Sequence, residues 1–254
     1  MSDRIRLDQA IEARGLLPSR ARARDAVLRG TVTVNGVVAG KPHQMIGKDD
    51  VIALDDPAAN YVSRAALKLI AGLDAGQIDP SGKVCLDLGA STGGFTQVLM
   101  ERGAKRIYAV DVGHDQLSER LKGSDRVVSL EGVNGRDLDA AIIPEPVQLL
   151  VSDLSFVSVT KVLEAPLALC TPAAEAVILI KPQFEVGRDR IGKGGIVTDE
   201  TAIAGAIADV VGFMAARGWT LRASVPSPIS GGDGNRETVA VFGRDTPRGS
   251  TSSP

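Results

Sequence analysis

Apolar and polar positions divide the chain into two stretches with different patterns. From about residue 61, near-continuous apolar runs alternate with helical segments; the runs cover residues 84–88, 106–110, 127–130, 147–151 and 175–180. Such runs, separated by helices, are typical of a parallel sheet that is covered on both faces. After a predicted helix over about residues 199–217, the segments WTLRASV and ETVAVFG follow in quick succession. Their short connection rules out a crossover, so these two strands are predicted to be antiparallel to each other.

The first sixty residues have a different pattern. Residues 4–16 and 19–29 predict two short helices, the second with Ser19 as its N-cap. The segment TVTVNGVVA alternates around an Asn-Gly pair, which is a strong signal for a β-hairpin, and VIAL at residues 51–54 predicts another strand. The predicted fold class is therefore α/β, with a small α+β domain at the N-terminus.

Changes in composition predict the domain boundaries. We expect a first domain over residues 1–56, a linker over 57–63, a second domain over 64–245 and a disordered tail over 246–254. Aromatic residues make up only 3% of the chain. The core must therefore rest on Val, Leu, Ile and Ala.

Charge is unevenly distributed between these domains. Residues 1–48 carry nine Lys and Arg but four acids, whereas the chain as a whole has a net charge of −2. A basic head on an acidic body predicts that the head binds a polyanion. At about 100° per residue, Arg20 and Arg24 share one helix face, while Arg22 points roughly the opposite way, nearer Arg29. The predicted RNA contacts are Arg4, Arg6, Arg20 and Arg24.

Several classes of protein are disfavoured by the sequence. No apolar run approaches the roughly 20 residues that span a bilayer, and the N-terminus lacks the apolar core of a secretory signal. Cys85 and Cys170 lie in apolar surroundings without the spacing of a zinc site, which predicts two buried thiols in a reducing compartment. We therefore expect a cytoplasmic monomer that uses neither a membrane nor a metal.

The segment VCLDLGASTGGFT predicts a strand, a glycine-rich turn and a helix that together bind a cofactor. Its glycines lack the G-x-G-x-x-G register of dinucleotide enzymes, a register that a sulfonium cofactor without a pyrophosphate does not require. Asp111 ends the next strand, where an acid typically binds paired ribose hydroxyls. Asn134 either contacts an adenine edge or caps the next helix. The predicted cofactor-binding residues are Asp87, Gly89, Ser91, Thr92, Gly93, Gly94, Phe95, Asp111, Asn134 and Asp153.

Four charged residues lie where the predicted sheet brings them to one edge. Asp153 and Lys181 each end an apolar strand, where a charge is costly to bury unless it is paired or belongs to a site. Glu237 begins the last predicted strand, which we expect to run antiparallel and to place this carboxylate near Lys181. Lys68 lies on a helix before the first strand of the sheet. The pattern predicts two lysines and two carboxylates beside the cofactor.

This combination fits methylation of a hydroxyl group. A ribose hydroxyl is a weak nucleophile and must lose its proton during attack on a methyl group. A neighbouring cation lowers the pKa of a lysine, and such a lysine can accept that proton. We expect Lys181 to be the main base and Lys68 to be the neighbouring cation that also orients the hydroxyl. Asp153 and Glu237 would orient the two amines.

With these residues in hand, the chain resembles the TlyA family of two-domain RNA 2′-O-methyltransferases, whose catalytic part belongs with the FtsJ-like group. The resemblance covers residues 4–244 and rests on RLDQAIEARGLLPSRARARDAVLRGTVTVNG, SRAALKL, DLGASTGGFT, SDLSFVS, IKPQFEVGR and GNRE. It implies a Rossmann-like class I methyltransferase sheet, a head of the ribosomal-protein S-four type, and S-adenosylmethionine as methyl donor. It also implies that Lys68, Asp153, Lys181 and Glu237 form the catalytic Lys-Asp-Lys-Glu tetrad of the family.

The same resemblance implies ribosomal RNA, within ribosomal subunits, as the partner and a cytidine ribose as the methylated group. Three segments depart from the family pattern: Ala65-Ala66 replaces a common Gly-Gly, EGVNG replaces Glu-Arg-Thr-Asn, and Thr238 replaces an aromatic residue. Rival interpretations are a non-catalytic RNA-binding ribosome-assembly factor, a membrane-active haemolysin, and a methyltransferase for proteins or small molecules. The basic head and the paired lysines favour RNA, because methylation of a hydroxyl needs a base.

Overall fold

The computed structural model describes residues 4–232 and 234–244. These residues form two compact units, with the boundary between Asn60 and Tyr61. The boundary falls inside the linker predicted over residues 57–63. The predicted tail, 246–254, and the last residue of the predicted second domain lie outside the described residues.

The first unit combines two helices with short strands. In chain order its elements are β1 (Ile5–Arg6), α1 (Leu7–Ala13), α2 (Arg20–Leu28), β2 (Val32–Val34), β3 (Val37–Val38), β4 (Met45–Ile46) and β5 (Ile52–Leu54). Strands β3, β2 and β5 form an antiparallel sheet in that order, and β1 pairs with β4. The apolar core of this unit includes Leu7, Ile11, Val27 and Ile46.

The helix predicted over residues 4–16 is wrong at both ends. Ile5 pairs with Ile46 in an antiparallel ladder, so the chain is extended before α1 begins. The helix ends at Ala13, and Gly15 then adopts a φ of +68°, a left-handed conformation that ends helices. The first helix is therefore about half as long as its sequence pattern predicts.

The other local predictions for this unit are confirmed. Ser19 caps α2, and its Oγ accepts a hydrogen bond from the backbone N–H of Arg22 at 3.3 Å. Gly30, with a φ of +75°, follows the helix. Asn35 and Gly36 both have positive φ, at +51° and +79°, as a tight hairpin between β2 and β3 requires.

Two arginines, one within α2 and one directly after it, tie the segment after β5 to this unit. Arg22 donates from Nη2 to the carbonyl oxygen of Ala58 at 2.6 Å. Arg29 donates to both carboxylate oxygens of Asp56 at 2.7 Å. These contacts attach the beginning of the predicted linker to the first unit, which is why the boundary lies at residue 60 rather than 56.

The second unit is built around a seven-stranded sheet. In chain order its elements are α3 (Ala66–Gly76), β6 (Val84–Leu88), α4 (Gly94–Glu101), β7 (Arg106–Asp111), α5 (Glu119–Lys122), β8 (Val127–Glu131), β9 (Val147–Ser152), α6 (Glu164–Ala168), β10 (Cys170–Ile180), α7 (Pro182–Glu185), α8 (Glu200–Ala215), β11 (Trp219–Pro226) and β12 (Thr238–Arg244). The strand order is β11-β12-β10-β9-β6-β7-β8. Strands β10 to β8 in that order are parallel, and β12 runs antiparallel between β10 and β11.

All seven predicted strands of this sheet are present, but the helices between them are unequal. Between β8 and β9 the described chain forms a single 3-10 turn, Gly135–Asp137, instead of an α-helix. Pro144 and Pro146 lie just before β9, and proline cannot supply the backbone N–H that a helix interior requires. Helices α5 and α6 are also only four and five residues long.

Apolar side chains cover both faces of the sheet. One face packs against α8 through Val210 and Met214. The other packs against α3 and α4, where a Cβ added at Gly72 would lie 2.5 Å from Cγ1 of Val177. Helix α3 therefore lies very close to β10 at Gly72. Both cysteines are buried, as predicted.

Among the described residues, no helix combines the length and the apolar character needed to cross a membrane.

Candidate active site

Four charged residues meet at the carboxyl edge of the parallel strands. Asp153 directly follows β9, and Lys181 directly follows β10. Because β12 is antiparallel, its beginning lies at this same edge, and Thr238 pairs with Ile180. Glu237 directly precedes Thr238. Lys68 is in the first turn of α3, the helix that packs with α4 on one face of the sheet.

The four side chains form a chain of alternating charges. Lys68 Nζ lies 2.5 Å from Glu237 Oε2 and 3.6 Å from Asp153 Oδ2. Asp153 Oδ1 lies 2.8 Å from Lys181 Nζ. None of the four side chains is more than 13% exposed. The structure thus brings together all four predicted residues, with Asp153 as the bridge between the two amines.

One detail differs from the expected arrangement. Glu237 is expected near Lys181, and the strand register does place their backbones side by side, but the Glu237 carboxylate pairs with Lys68. Lys181 instead pairs with Asp153, on the strand at its other side. Two positive and two negative charges balance each other, which is the condition under which charges are tolerated away from water.

A hydroxyl that sequence reasoning missed also contacts this cluster. Ser155 Oγ accepts a hydrogen bond from Lys181 Nζ at 2.8 Å. The next residue, Phe156, has a φ of +66° and a side chain that is 91% exposed, and its ring lies 5.4 Å from that of Phe184. Such a backbone conformation is strained for a bulky residue. The sequence signal for this contact is the polar and aromatic segment SDLSF, in which Ser155 follows Asp153 by two residues.

A cavity of about 560 Å³ opens beside this cluster, at the same edge of the sheet. Five of the predicted cofactor-binding residues line it: Gly89, Ser91, Asp111, Asn134 and Asp153. Its size is within the range of small-molecule sites. The remaining lining includes apolar side chains, among them Val110, Val112 and Leu154, as a nucleoside would require.

A smaller cavity of about 170 Å³ adjoins the charged cluster. It is lined by the predicted residues Thr92, Gly94 and Phe95 and also by Lys181. The two cavities share four lining residues, which are Gly89, Ser91, Asp153 and Ser155. The larger cavity therefore adjoins the smaller one, which Lys181 lines.

Two predicted cofactor residues line neither cavity. Asp87 is fully buried beneath the glycine-rich turn, where its Oδ2 accepts a hydrogen bond from Thr96 Oγ1 at 2.6 Å. Burial raises the pKa of Asp87 to about 7. Gly93 has a φ of +97°, and a Cβ there would lie 2.2 Å from Leu121 Cδ1, so this glycine serves the turn and its packing.

Asp111 and Asn134 are held by the backbone at the rim of the larger cavity. Asp111 accepts hydrogen bonds from the backbone N–H groups of Ser91 at 2.8 Å and Gly113 at 2.7 Å. Asn134 Oδ1 accepts from the backbone N–H of Arg136 at 3.0 Å, so this residue caps a turn and also lines the cavity. The two open alternatives for Asn134 are thus compatible.

The donor set fits S-adenosylmethionine, the cofactor that the family resemblance implies. The cavity combines apolar walls that suit a base, the carboxylate of Asp111 at the end of β7 that suits a ribose, and the carboxylate of Asp153 that suits a cationic sulfonium. Within residues 4–232 and 234–244, no three His, Cys, Asp or Glu side chains come together as a metal site requires.

The four arginines predicted to contact RNA differ from one another in their surroundings. Arg6 donates to both carboxylate oxygens of Asp8 at 3.0 and 2.9 Å, and Arg20 donates to the same carboxylate at 3.0 Å. The hydrogen bond from Arg6 is the main reason that the pKa of Asp8 lies well below its usual range. Arg4 and Arg24 are exposed. The buried Asp8 therefore holds two of the four arginines in fixed positions.

Comparison with known proteins agrees with this division into two units. Residues 61–244 match the FtsJ-like methyltransferase family, and residues 5–52 match the S4 domain. The chain is 40% identical over 238 residues to the 16S/23S rRNA (cytidine-2′-O)-methyltransferase TlyA of Mycobacterium tuberculosis, covering 93% of this chain and 89% of that protein. The chain belongs to the TlyA family of FtsJ-like methyltransferases. The resemblance seen in the sequence is therefore confirmed.

Other members of the TlyA family carry different names. Hemolysin A of Brachyspira hyodysenteriae is 38% identical, over 94% of this chain and 99% of that protein. A hemolysin-named protein from Streptococcus thermophilus has a solved structure with a TM-score of 0.75 and 34% identity, covering 97% of this chain and 91% of that one. An S-adenosylmethionine dependent methyltransferase from Mesorhizobium loti, at 15% identity and a TM-score of 0.52, covers 70% of this chain and 98% of that one and shares the fold alone.

Proposed function

We propose that the protein transfers a methyl group from S-adenosylmethionine to the ribose 2′-hydroxyl of a cytidine in ribosomal RNA. The observation that carries this proposal is the chain of contacts from Glu237 through Lys68 and Asp153 to Lys181, next to a cavity of nucleoside size. Membership of the TlyA family supports RNA as the substrate, since the relative in Mycobacterium tuberculosis is named for this reaction.

Residues of the glycine-rich turn and of the neighbouring strand ends hold the cofactor in the larger cavity. Asp111 would bind the ribose hydroxyls, Asn134 and the apolar wall would contact the base, and the carboxylate of Asp153 would attract the cationic end. When bound, S-adenosylmethionine supplies an electrophilic methyl group. Asp87 lies beneath the glycine-rich turn and supports it through its contact with Thr96. It lines neither cavity and would not contact the ligand.

Lys181 accepts the proton of the 2′-hydroxyl. Asp153 holds this amine through one carboxylate oxygen and lies near Lys68 through the other, so that one carboxylate positions both lysines. Glu237 keeps Lys68 in place at 2.5 Å. General base catalysis of this kind contributes about 10²–10⁴-fold, and placement of the hydroxyl in line with the methyl group contributes more.

The first unit brings the enzyme to its RNA. Its exposed arginines contact phosphates, which position the protein without reading sequence, and the choice of nucleotide comes from the shape of the RNA. The proposed setting is the cytoplasm, where the protein acts as a monomer on RNA within ribosomal subunits.

Methyl transfer to isolated ribosomal subunits tests this proposal. Wild-type protein with radiolabelled S-adenosylmethionine should label RNA at a cytidine that resists alkaline cleavage. Lys181→Ala should lower the rate by at least about 10²-fold without loss of cofactor binding. Lys83→Ala is the matched control, because Lys83 is a paired lysine at the opposite edge of the sheet, next to Glu175. Cofactor binding without labelling of either subunit by the wild type would favour the RNA-binding assembly factor.

A further inference from the structure

Lys181 makes two close polar contacts with different chemical partners. Its Nζ lies 2.8 Å from Asp153 Oδ1 and donates to Ser155 Oγ, also at 2.8 Å. Asp153 belongs to the predicted tetrad, whereas Ser155 does not. Ser155 lines both cavities and is exposed, so its hydroxyl is at the junction between the two spaces.

The geometry of an amine gives this second contact a specific consequence. A neutral lysine amine has two N–H bonds and one lone pair, arranged at roughly tetrahedral angles. Ser155 Oγ accepts one N–H, and the ion pair with Asp153 Oδ1 keeps the second N–H on the side of the carboxylate, which leaves the lone pair a single remaining direction. Lys181 also lines the smaller cavity, where the acceptor hydroxyl would have to lie next to the methyl group. With the ion pair to Asp153 alone, the amine could rotate about its Cε–Nζ bond between staggered positions, and the lone pair would have more than one accessible direction.

We infer that Ser155 is a positioning residue for methyl transfer, which acts by directing the lone pair of Lys181 toward the 2′-hydroxyl. This inference rests on the proposed function. In the step itself, the 2′-hydroxyl proton moves to Nζ of Lys181 as the oxygen forms its bond to the methyl group, and the bond from the methyl group to sulfur breaks. Ser155 neither gains nor loses a proton, because its oxygen accepts the same N–H before and after the transfer.

The backbone around Ser155 is fixed on both sides, as a positioning role requires. The N–H of Asp153 donates to the carbonyl oxygen of Leu88 at 3.1 Å, which ties the loop to β6. At the other end, Glu185 accepts from Ser158 Oγ at 2.6 Å and from the backbone N–H of Val159 at 2.9 Å. A hydroxyl on a segment held at both ends can select one orientation of the amine that it contacts.

Two substitutions at this position separate the hydroxyl from the rest of the side chain. Ser155→Ala should lower the single-turnover rate of methyl transfer to ribosomal subunits by about tenfold, the effect expected for one lost hydrogen bond to a charged or reacting group. The KM for RNA and the Kd for S-adenosylhomocysteine should stay within about twofold, because the loss affects the chemical step. Ser155→Thr keeps the hydroxyl and should restore most of the rate. Ser124→Ala is the matched control, since this hydroxyl accepts from the N–H of Arg126 in a distant turn.

A second measurement needs no RNA. Hydrogen exchange of the N–H groups at Lys181 Nζ can be followed by ¹⁵N NMR, with the signal assigned through Lys181→Arg. Exchange should be several-fold faster in Ser155→Ala and close to that of the wild type in Ser155→Thr. Unchanged exchange in Ser155→Ala, or an unchanged rate of methyl transfer, would overturn the inference. If the wild type methylates no RNA, the proposed function fails, and the exchange measurement still decides whether Ser155 holds the amine.

Discussion

Asp87 is a carboxyl group that is completely enclosed by protein. It accepts a hydrogen bond from Thr96, and burial raises its pKa to about 7, far above the value of 3.8 for a free aspartate. Between about pH 3.8 and pH 7, Asp87 in the folded protein retains a proton that the unfolded chain has released. The contribution of Asp87 to the free energy of unfolding is therefore complete below about pH 4 and is lost as the pH rises toward 7.

Replacement of this aspartate by its neutral isostere removes that dependence. Relative to the wild type, Asp87→Asn should gain free energy of unfolding as the pH rises from 4 to 7, by at most about 1.4 kcal/mol per pH unit. Fluorescence of Trp219 during urea unfolding measures this in the second unit, because it is the one tryptophan of the chain and is buried in β11. The exposed Asp125→Asn is the control. Parallel pH profiles for wild type and Asp87→Asn would contradict the assignment.

Single residues also mark the limit of what sequence could predict about the site. Asp153 and Lys181 stand out because each interrupts an apolar run at the end of a strand. Ser155 has no such signal, since its role depends on the direction in which the lysine side chain points. In the same way, helical spacing places Arg20 on an exposed face but does not show that Asp8, from another helix, already binds it.

At the scale of elements, the short helix α7 organises the loop that follows β9. Lys181, just before the helix, contacts Asp153 and Ser155. Within α7, Phe184 packs on Phe156, and Glu185 at its end binds Ser158 and Val159. Three successive points of the loop are thus held by one turn of helix and the residue that precedes it.

Loss of the last of these contacts should loosen a wall of the larger cavity. Glu185→Ala should raise the Kd for S-adenosylhomocysteine by about tenfold, because two hydrogen bonds that hold the loop are removed. Glu185→Gln should remain close to the wild type, since an amide can accept from Val159 and donate to Ser158. Isothermal titration calorimetry measures both. Glu145 lies just before β9, at the opposite edge of the sheet, and accepts a hydrogen bond from the hydroxyl of Tyr108. Glu145→Ala removes that bond and should leave the Kd for S-adenosylhomocysteine unchanged.

Elements were predicted correctly where a pattern of apolar residues or of turn residues extended over several positions. The buried strands of the sheet and the Asn-Gly hairpin follow directly from apolar runs and turn chemistry. The first helix was predicted too long because Ile5 and Arg6 read equally well as strand or helix, and only pairing with Met45–Ile46 decides between them. A contact across forty residues leaves no trace in a local pattern.

At the scale of the whole molecule, charge and chemistry are carried by different units. The basic residues gather in the first unit, and the proposed tetrad lies in the second. Phosphate contacts by exposed arginines release counterions, so RNA binding should weaken steeply with salt. Arg24 is exposed and is free of the Asp8 pairing that holds Arg6 and Arg20.

Arg24 therefore gives the cleanest test of the first unit. Arg24→Ala should weaken binding to ribosomal RNA and reduce the slope of log K against log salt by about one, without changing the Kd for cofactor. Filter binding at several salt concentrations measures the slope. Arg217→Ala is the control with the same change in net charge, because Arg217 pairs with Glu164 in the second unit. An equal change of slope in both variants would argue against a specific role of the first unit.

The position of β12 in the sheet has a consequence for synthesis of the chain. Strand β11 reaches the sheet only through β12, and β10, which leads to Lys181, also has β12 as a neighbour. Glu237, the partner of Lys68, immediately precedes that strand. During translation, Lys68 is synthesised about 170 residues before Glu237, the carboxylate that it contacts most closely. The nascent chain therefore exposes the first unit early in synthesis. The sheet of the second unit can be completed only after the ribosome has added β12.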